Sequence, residues 1–180
     1  SHIFLANIHP DLQQLVIEQN DNKDALIIVD TMNLWINIAR ESLINVLSNS
    51  NILLLSKSEA TLLTNQENLS DSASTILDMG LETVVIKKGS NGAELFSKNE
   101  HISVGAYPVE NVVDPTGAGD TFGGGFISVL ASGKSITDAL VYGSSLASLC
   151  IEGFGTNRLR EVSESVIMER ITFLKTTLNS

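Results

Sequence analysis

The chain has 180 residues, a formal net charge of −10 at pH 7, 43% hydrophobic and 18% charged residues, and one cysteine. This composition suits one folded domain with a sizeable core, and it excludes a disordered chain and an internal disulfide. The acidic balance disfavours nucleic acid and anionic lipid as partners. Since no apolar run reaches the roughly 18 residues of a membrane span and no secretory signal opens the chain, we expect a cytoplasmic protein.

Short apolar runs alternate with helical patterns in the first half of the chain. Strands are predicted at residues 3–6, 25–29, 52–55 and 83–87, and helices at 10–19, 35–47, 58–63 (with Ser58 as cap) and 70–79. The strands are continuous apolar runs rather than alternations of apolar and polar residues. This pattern is typical of a parallel sheet covered on both faces, and the βαβ order predicts a doubly wound α/β architecture.

The rhythm changes in the second half of the chain. Residues 93–96 and 101–104 are short apolar runs separated by polar residues, which predicts a hairpin. Three helices are predicted at 118–131, 136–151 and 164–178, and Cys150 lies in an apolar helical run typical of core. We find no repeat or linker, so residues 1–180 are interpreted as a single domain.

The most informative stretch is Asp-Pro-Thr-Gly-Ala-Gly-Asp, from Asp114 to Asp120. A glycine-rich turn directly before a helix brings backbone N–H groups close to a ligand, and the helix N-terminus favours an anion. An acid in that ring would repel a phosphate unless it accepts a proton from an attacking hydroxyl. Asp120 is therefore predicted as the general base of a phosphoryl transfer. The alternative is a tight turn in which Asp120 only caps a helix.

This string resembles the second signature of the PfkB (ribokinase-like) carbohydrate kinases, Asp-Thr-x-Gly-Ala-Gly-Asp followed by Phe, with Pro115 in place of the usual Thr. The resemblance implies that Asp120 activates the substrate hydroxyl and that the amides of Gly117, Ala118 and Gly119 form an anion hole. It also implies a ribokinase-like, mostly parallel sheet with helices on both faces, and ATP and Mg²⁺ as cofactors.

Two further segments match the family in order. Residues 55–60 occupy the place of the Asn-x-x-Glu motif, so Glu59 is implied to organise Mg²⁺ through water, although Ser56 stands where Asn is expected. Glu59 could instead be a first-turn helix charge. Lys87, Gly89 and Gly92 resemble the strand-to-glycine loop beside the nucleotide, where Lys87 either reaches a phosphate or is an exposed strand-end lysine.

The late loop around Gly153 and Gly155 resembles the loop near the adenine. In many relatives this loop and the Asp-x-Thr of the signature, here Asp114 and Thr116, also hold a monovalent cation such as K⁺. Asp114 could instead cap the turn.

Asn7 and Asn33 follow predicted strands on the side where open α/β sheets bind ligands. In relatives the second of these strand ends lies close to the sugar, so both residues are predicted to contact substrate. Asn is also a common turn residue at such positions.

The resemblance covers only the later part of the family's fold, without its N-terminal strands, first signature and lid. We therefore expect a fragment of a longer ATP-dependent phosphotransferase that acts on a hydroxyl of a sugar or nucleoside, with a homodimer as a further expectation. The alternatives are a hydroxymethylpyrimidine- or pyridoxal-type vitamin kinase of the same fold, a non-catalytic nucleotide-binding module, and a fragment that binds nothing.

Overall fold

The structure is a computed structural model and describes residues 1–179. Within them, six strands form one sheet in chain order: β1 (His2–Leu5), β2 (Leu26–Asp30), β3 (Ile52–Ser56), β4 (Thr83–Lys87), β5 (Ala93–Ser97) and β6 (His101–Val104). Strands β1 to β4 are parallel, with Phe4 opposite Ile28 and Leu54 opposite Val85. The predicted mostly parallel α/β sheet is confirmed.

Nine helices accompany these strands within residues 1–179: α1 (Pro10–Glu18), α2 (Asn33–Ile38), α3 (Arg40–Ser48), α4 (Lys57–Thr64), α5 (Leu69–Leu77), α6 (Ala118–Ala131), α7 (Ile136–Cys150), α8 (Asn157–Glu161) and α9 (Glu164–Thr176). A 3₁₀ turn covers Gly89–Asn91. None of these helices combines the length and the apolar character that crossing a bilayer requires.

The prediction of a single helix at residues 35–47 is wrong. Ala39 leaves the helical region, with φ −136° and ψ 36°, and separates α2 from α3. The apolar spacing that suggested one helix is real, because Ile36, Leu43 and Leu47 are all buried in the same core. Two short helices therefore present the apolar face that was assigned to one.

The start of α4 was also predicted one residue too late, and its N-cap two residues too late. Ser56, not Ser58, is the N-cap: its hydroxyl accepts from the Glu59 N–H at 3.2 Å, and the Glu59 carboxylate accepts from the Ser56 N–H at 2.6 Å. This reciprocal pair is a capping box, which satisfies two helix-end donors at once. Helix α8 was missed because its five residues are too short to show a period.

The chain divides into two compact units. The first contains residues 1–87 and 94–101. Its core packs the apolar residues of β1 to β4, such as Val29, Leu53 and Ile86, against helices α3, α4 and α5. The second contains residues 88–93 and 102–179, in which α6, α7 and α9 pack together. Cys150 is buried there, as predicted.

Candidate functional site

The signature loop, residues 114–120, is held at its start by the C-terminal end of α7. The amides of Val113 and Asp114 donate to the Ile151 carbonyl at 2.8 and 3.2 Å. The Asp114 carboxylate accepts from the Thr116 N–H at 3.0 Å, and this bond, followed by one from the Thr116 side chain, lowers the pKa of Asp114. The Asp114 side chain thus caps the turn, which is the alternative role considered for it from the sequence.

Helix α6 begins without a capping side chain. Its N-cap is Gly117, whose φ of 80° lies in the left-handed region that favours glycine. By contrast, α1, α4, α5 and α7 are each capped by a side chain: His9, Ser56, Asn68 and Ser135. The first-turn donors of α6 are therefore open to a ligand.

The amides of this first turn differ from one another. The Ala118 N–H donates to the Pro115 carbonyl at 3.3 Å. Within residues 1–179, no acceptor engages the amides of Gly119 and Asp120. The predicted Gly119 amide and the Asp120 amide, which the sequence reasoning did not include, are therefore the donors of this turn that the fold leaves open. The open Asp120 amide could have been predicted, because the first four N–H groups of any helix lack an intrahelical acceptor.

Asp120 stands in the first turn of α6 and is exposed. No hydrogen bond or ion pair engages its carboxylate within the described part of the chain. The carboxylate is therefore open to a hydroxyl group of a ligand, beside amides that suit a phosphoryl group.

The first unit carries a partly buried charge pair at the carboxyl ends of two of its strands. Asp30 ends β2 and Lys87 ends β4, and the Lys87 ammonium lies 3.4 Å from Oδ1 of Asp30. Burial raises the pKa of Asp30, although the charge of Lys87 and the Thr31 N–H act in the opposite direction. The Lys87 side chain is only 19% exposed. It is not the exposed strand-end lysine that its sequence position also allowed.

Gln13 supports this strand end and was missed by the sequence reasoning. Its side chain is 1% exposed, and its amide nitrogen donates to the carbonyls of Leu5, Ala6 and Asp30 at 3.0–3.2 Å. One glutamine thus joins the ends of β1 and β2. The available signal was helical spacing, because Gln13 lies three residues after the buried Pro10 on the same face of α1.

The two predicted substrate contacts occupy different settings in the first unit. Asn7 follows β1 and its side-chain oxygen accepts from the Trp35 indole at 2.8 Å, and Trp35 also contacts His9 edge-on. Asn33 opens α2 and is exposed. Both residues are exposed, but the Asn7 side chain is bonded to Trp35 and thus has a role in the fold.

The two predicted nucleotide glycines also differ. Gly89 has φ +58°, and a Cβ there would meet nothing within 4 Å. Gly92 has φ +84°, and a Cβ there would lie 2.0 Å from the Val104 carbonyl oxygen. The backbone at Gly92 thus runs so close to the backbone at Val104 that no side chain fits at position 92.

The late loop follows α7 in the second unit. Gly155 has φ +57°, and a Cβ on Gly153 would lie 3.0 Å from that of Arg158. The buried Cys150 thiol lies 3.7 Å from the Thr116 carbonyl and 3.9 Å from that of Gly155. The structure therefore brings the predicted cofactor residues Thr116 and Gly155 to the same side chain.

Glu59 is the residue predicted to organise Mg²⁺. Within residues 1–179, no group of three or more His, Cys, Asp or Glu side chains is arranged to bind a metal directly. Glu59 is half-buried, and Oε2 of its carboxylate is bonded to the Ser56 N–H. Its other oxygen is left for water, which fits an indirect role toward Mg²⁺ because that ion usually keeps several waters.

Three comparisons with known proteins find relatives of this chain in sequence and in fold. A family model described as pfkB family carbohydrate kinase matches residues 1–162. The chain is 35% identical over 127 residues to a ribokinase of Staphylococcus aureus and 29% identical over 120 residues to a nucleoside kinase of Methanocaldococcus jannaschii, over 67% and 65% of this chain. A protein from E. coli assigned as a ribokinase II, solved in complex with ATP and Mg²⁺, has 26% identity, a TM-score of 0.79 and 98% coverage of this chain.

The chain is shorter than these proteins. It spans 41% of the S. aureus ribokinase, 38% of the M. jannaschii kinase and 59% of the E. coli chain.

Proposed function

Because the chain belongs to the pfkB family of carbohydrate kinases, we propose that it carries the catalytic base and the phosphate-binding part of an enzyme that phosphorylates a hydroxyl of a sugar or nucleoside with ATP. The observation that carries this proposal is the start of α6. A helix of 14 residues begins there without a side-chain cap, with open amides and an exposed Asp120. Its relatives named for ribose and for nucleosides support both substrate classes.

In the proposed reaction, the transferred phosphoryl group lies against the amides at the start of α6. The helix dipole and the Gly119 and Asp120 N–H groups stabilise the negative charge that develops on its oxygens. The Gly117 N–H also donates to this phosphoryl group. The Ala118 N–H donates to it as well, while it keeps its hydrogen bond to the Pro115 carbonyl. Asp120 accepts the proton of the substrate hydroxyl as the hydroxyl oxygen attacks the γ-phosphorus of ATP, and the bond from that phosphorus to the bridging oxygen breaks to release ADP.

When bound, Mg²⁺ would supply neutralisation of the phosphate charge. We assign its organisation to Glu59, acting through water. We further propose that Lys87 contacts a phosphate of ATP. The backbone passes close to the nucleotide at four glycines: Gly89, Gly92, Gly153 and Gly155.

The remaining assignments concern substrate and monovalent cation. Asn33 is exposed beside a strand end and is assigned to the substrate, and Asn7 acts there together with Trp35. Asp114 and Thr116 are assigned to a K⁺-type site near the signature loop. The setting we propose is the cytoplasm, where ATP is supplied.

The base is tested by Asp120→Asn in the protein that carries this chain. Turnover should fall by about 10²–10⁴-fold, which is the contribution of a positioned base. Nucleotide affinity measured by calorimetry should change little. Asp71→Asn is a matched control, because Asp71 is also the third residue of its helix and is exposed. Near-normal turnover of Asp120→Asn would overturn the base assignment.

A substrate panel separates the alternatives. Sugars, nucleosides, hydroxymethylpyrimidine and pyridoxal are each tested for ATP-dependent phosphorylation. Phosphorylation of only the last two would replace the proposed substrate class by vitamin precursors. Binding of ATP without turnover of any acceptor would indicate a nucleotide-binding module instead of an enzyme.

A further inference from the structure

A buried arginine of α9 contacts the segment that follows α7. Arg170 is 4% exposed, and its guanidinium donates to Oε1 of Glu152 at 2.7 Å and to the Ser148 hydroxyl at 2.9 Å. The same guanidinium lies over the Tyr107 ring, 4.3 Å from its centre. Three partners on two segments, the C-terminal end of α7 and the stretch around Tyr107, thus fix one charged group.

Glu152 is held from two sides. Oε1 accepts from Arg170, and Oε2 accepts from Nε of Arg158 at 3.2 Å. Burial raises the pKa of Glu152, but the hydrogen bonds and charges of Arg170 and Arg158 outweigh it and the pKa lies below its ordinary value. The carboxylate is charged at neutral pH, and both of its oxygens are fixed.

The residues next to Glu152 hold the signature loop. The Ile151 carbonyl accepts both the Val113 and the Asp114 amides, and the Cys150 thiol approaches the Thr116 carbonyl at 3.7 Å. Residues 148–152 therefore contact Arg170 through Ser148 and Glu152, and they contact the loop before α6 through Cys150 and Ile151.

We propose that Arg170 is a positioning residue for the signature loop: by fixing Ser148 and Glu152 it holds the Ile151 carbonyl, and through it the turn that places the α6 amides and Asp120. A misplacement of about 1 Å at a reacting group can cost about 10²-fold in rate. The catalytic consequence rests on the proposed function, whereas the structural consequence does not.

A purely structural ion pair would behave differently. It would change the free energy of unfolding of its unit and leave the fully folded molecules equally active. A positioning residue also lowers the activity of molecules that remain folded. Buried ion pairs are weak evidence for stability in any case, because desolvation offsets much of their attraction.

The first test needs no catalytic activity. Backbone hydrogen exchange is measured for Val113 and Asp114 in Arg170→Met, Glu152→Gln and the unchanged protein, with exposed Arg160→Met as control. We expect exchange at these two amides to rise about tenfold in both test variants, through local opening. The Phe126 amide, inside α6 of the same unit, reports unfolding of that unit and should not change. Unchanged protection of Val113 and Asp114 would overturn the proposal.

The second test uses turnover. With the folded fraction matched, Arg170→Met should lower kcat by about tenfold or more with a smaller change in KM for ATP, because binding groups remain while the base is misplaced. Arg170→Lys keeps the charge toward Glu152 and should recover part of the loss. Equal kcat in all variants would overturn the catalytic consequence. Glu152→Gln keeps the size of the side chain, so it decides both tests if Arg170→Met does not fold.

The two proposals fail in distinguishable ways. If the unchanged protein shows no turnover with any acceptor, the proposed function fails while hydrogen exchange still tests Arg170. If turnover is normal and depends on Asp120 but Val113 and Asp114 remain protected in Arg170→Met, only the inference about Arg170 fails.

Discussion

The strand ends of the first unit and the signature loop of the second carry charged residues for different physical reasons. In the first unit, Asp30 is buried and paired with the half-buried Lys87, and Gln13 is bonded to the same strand end. In the second unit, Asp120 is exposed, and within residues 1–179 no partner engages it. The fold explains the first set without any ligand, but it does not explain Asp120.

This difference decides what a mutation at each place can prove. Loss of activity after a change at Asp30 or Lys87 would mix loss of stability with loss of ligand contact. Asp120 lacks that ambiguity, since an exposed residue away from packing usually changes stability by no more than about 0.5 kcal/mol. The turnover test at Asp120 is therefore the largest and cleanest effect that we expect.

The contrast between the two units would be contradicted if removing Lys87 left the free energy of unfolding unchanged. Lys87→Met leaves the Asp30 carboxylate buried without its cation, which should lower the free energy of unfolding by about 3 kcal/mol in urea denaturation. Exposed Lys98→Met is the control and should have almost no effect. Asp120→Asn, measured in parallel, should stay within about 0.5 kcal/mol of the unchanged protein.

The sign of the pH dependence sharpens this prediction. Because burial raises the pKa of Asp30 in the folded state, the folded protein binds a proton before the unfolded chain does. Burying the charged Asp30 carboxylate lowers the free energy of unfolding at pH values above the pKa of Asp30 in the folded protein. This loss disappears as the pH falls through that pKa. The deficit of Lys87→Met should therefore shrink between about pH 7 and about pH 4. The double variant with Asp30→Asn should lack this pH dependence, and a deficit that grows toward low pH would contradict the prediction.

Gly89 and Gly92 extend the comparison to two neighbouring glycines. Gly92→Ala places a methyl group 2.0 Å from the Val104 carbonyl oxygen and should lower stability by about 3 kcal/mol or more. Gly89→Ala meets no atom within 4 Å and should cost only the roughly 1 kcal/mol of a left-handed backbone. Thermal unfolding of both variants measures the difference. If Gly89→Ala weakens ATP binding while it stays folded, glycine at that position serves the nucleotide. Equal destabilisation by the two changes would contradict the fold-based account of Gly92.

Features with local causes could be predicted from the sequence. The continuous apolar runs of β2 and β3 predicted buried parallel strands because burial on both faces leaves no polar alternation. The string from Asp114 to Asp120 predicted a turn followed by a helix, because glycine and helix ends act through the nearest few residues, and anion binding at that helix start stays a prediction.

Features that depend on distant partners could not be predicted. The pair of Asp30 and Lys87 joins residues 57 positions apart, and that of Glu152 and Arg170 joins residues 18 apart. No sequence pattern specifies which buried charges will meet. The break at Ala39 likewise has no glycine or proline to announce it, since the apolar spacing continues across it.

The smallest effect that we expect concerns Ser56, where the family's motif has Asn. Ser56→Ala removes the side-chain cap of α4 and should cost about 1 kcal/mol in urea denaturation, whereas Ser58→Ala, which caps no amide, should cost much less. Ser56→Asn should keep stability, because Asn caps helices as well as Ser does. If all three variants are equally stable, the capping box does not stabilise α4, and the Ser56 and Glu59 pair belongs with Asp120 among the residues that the fold leaves unexplained.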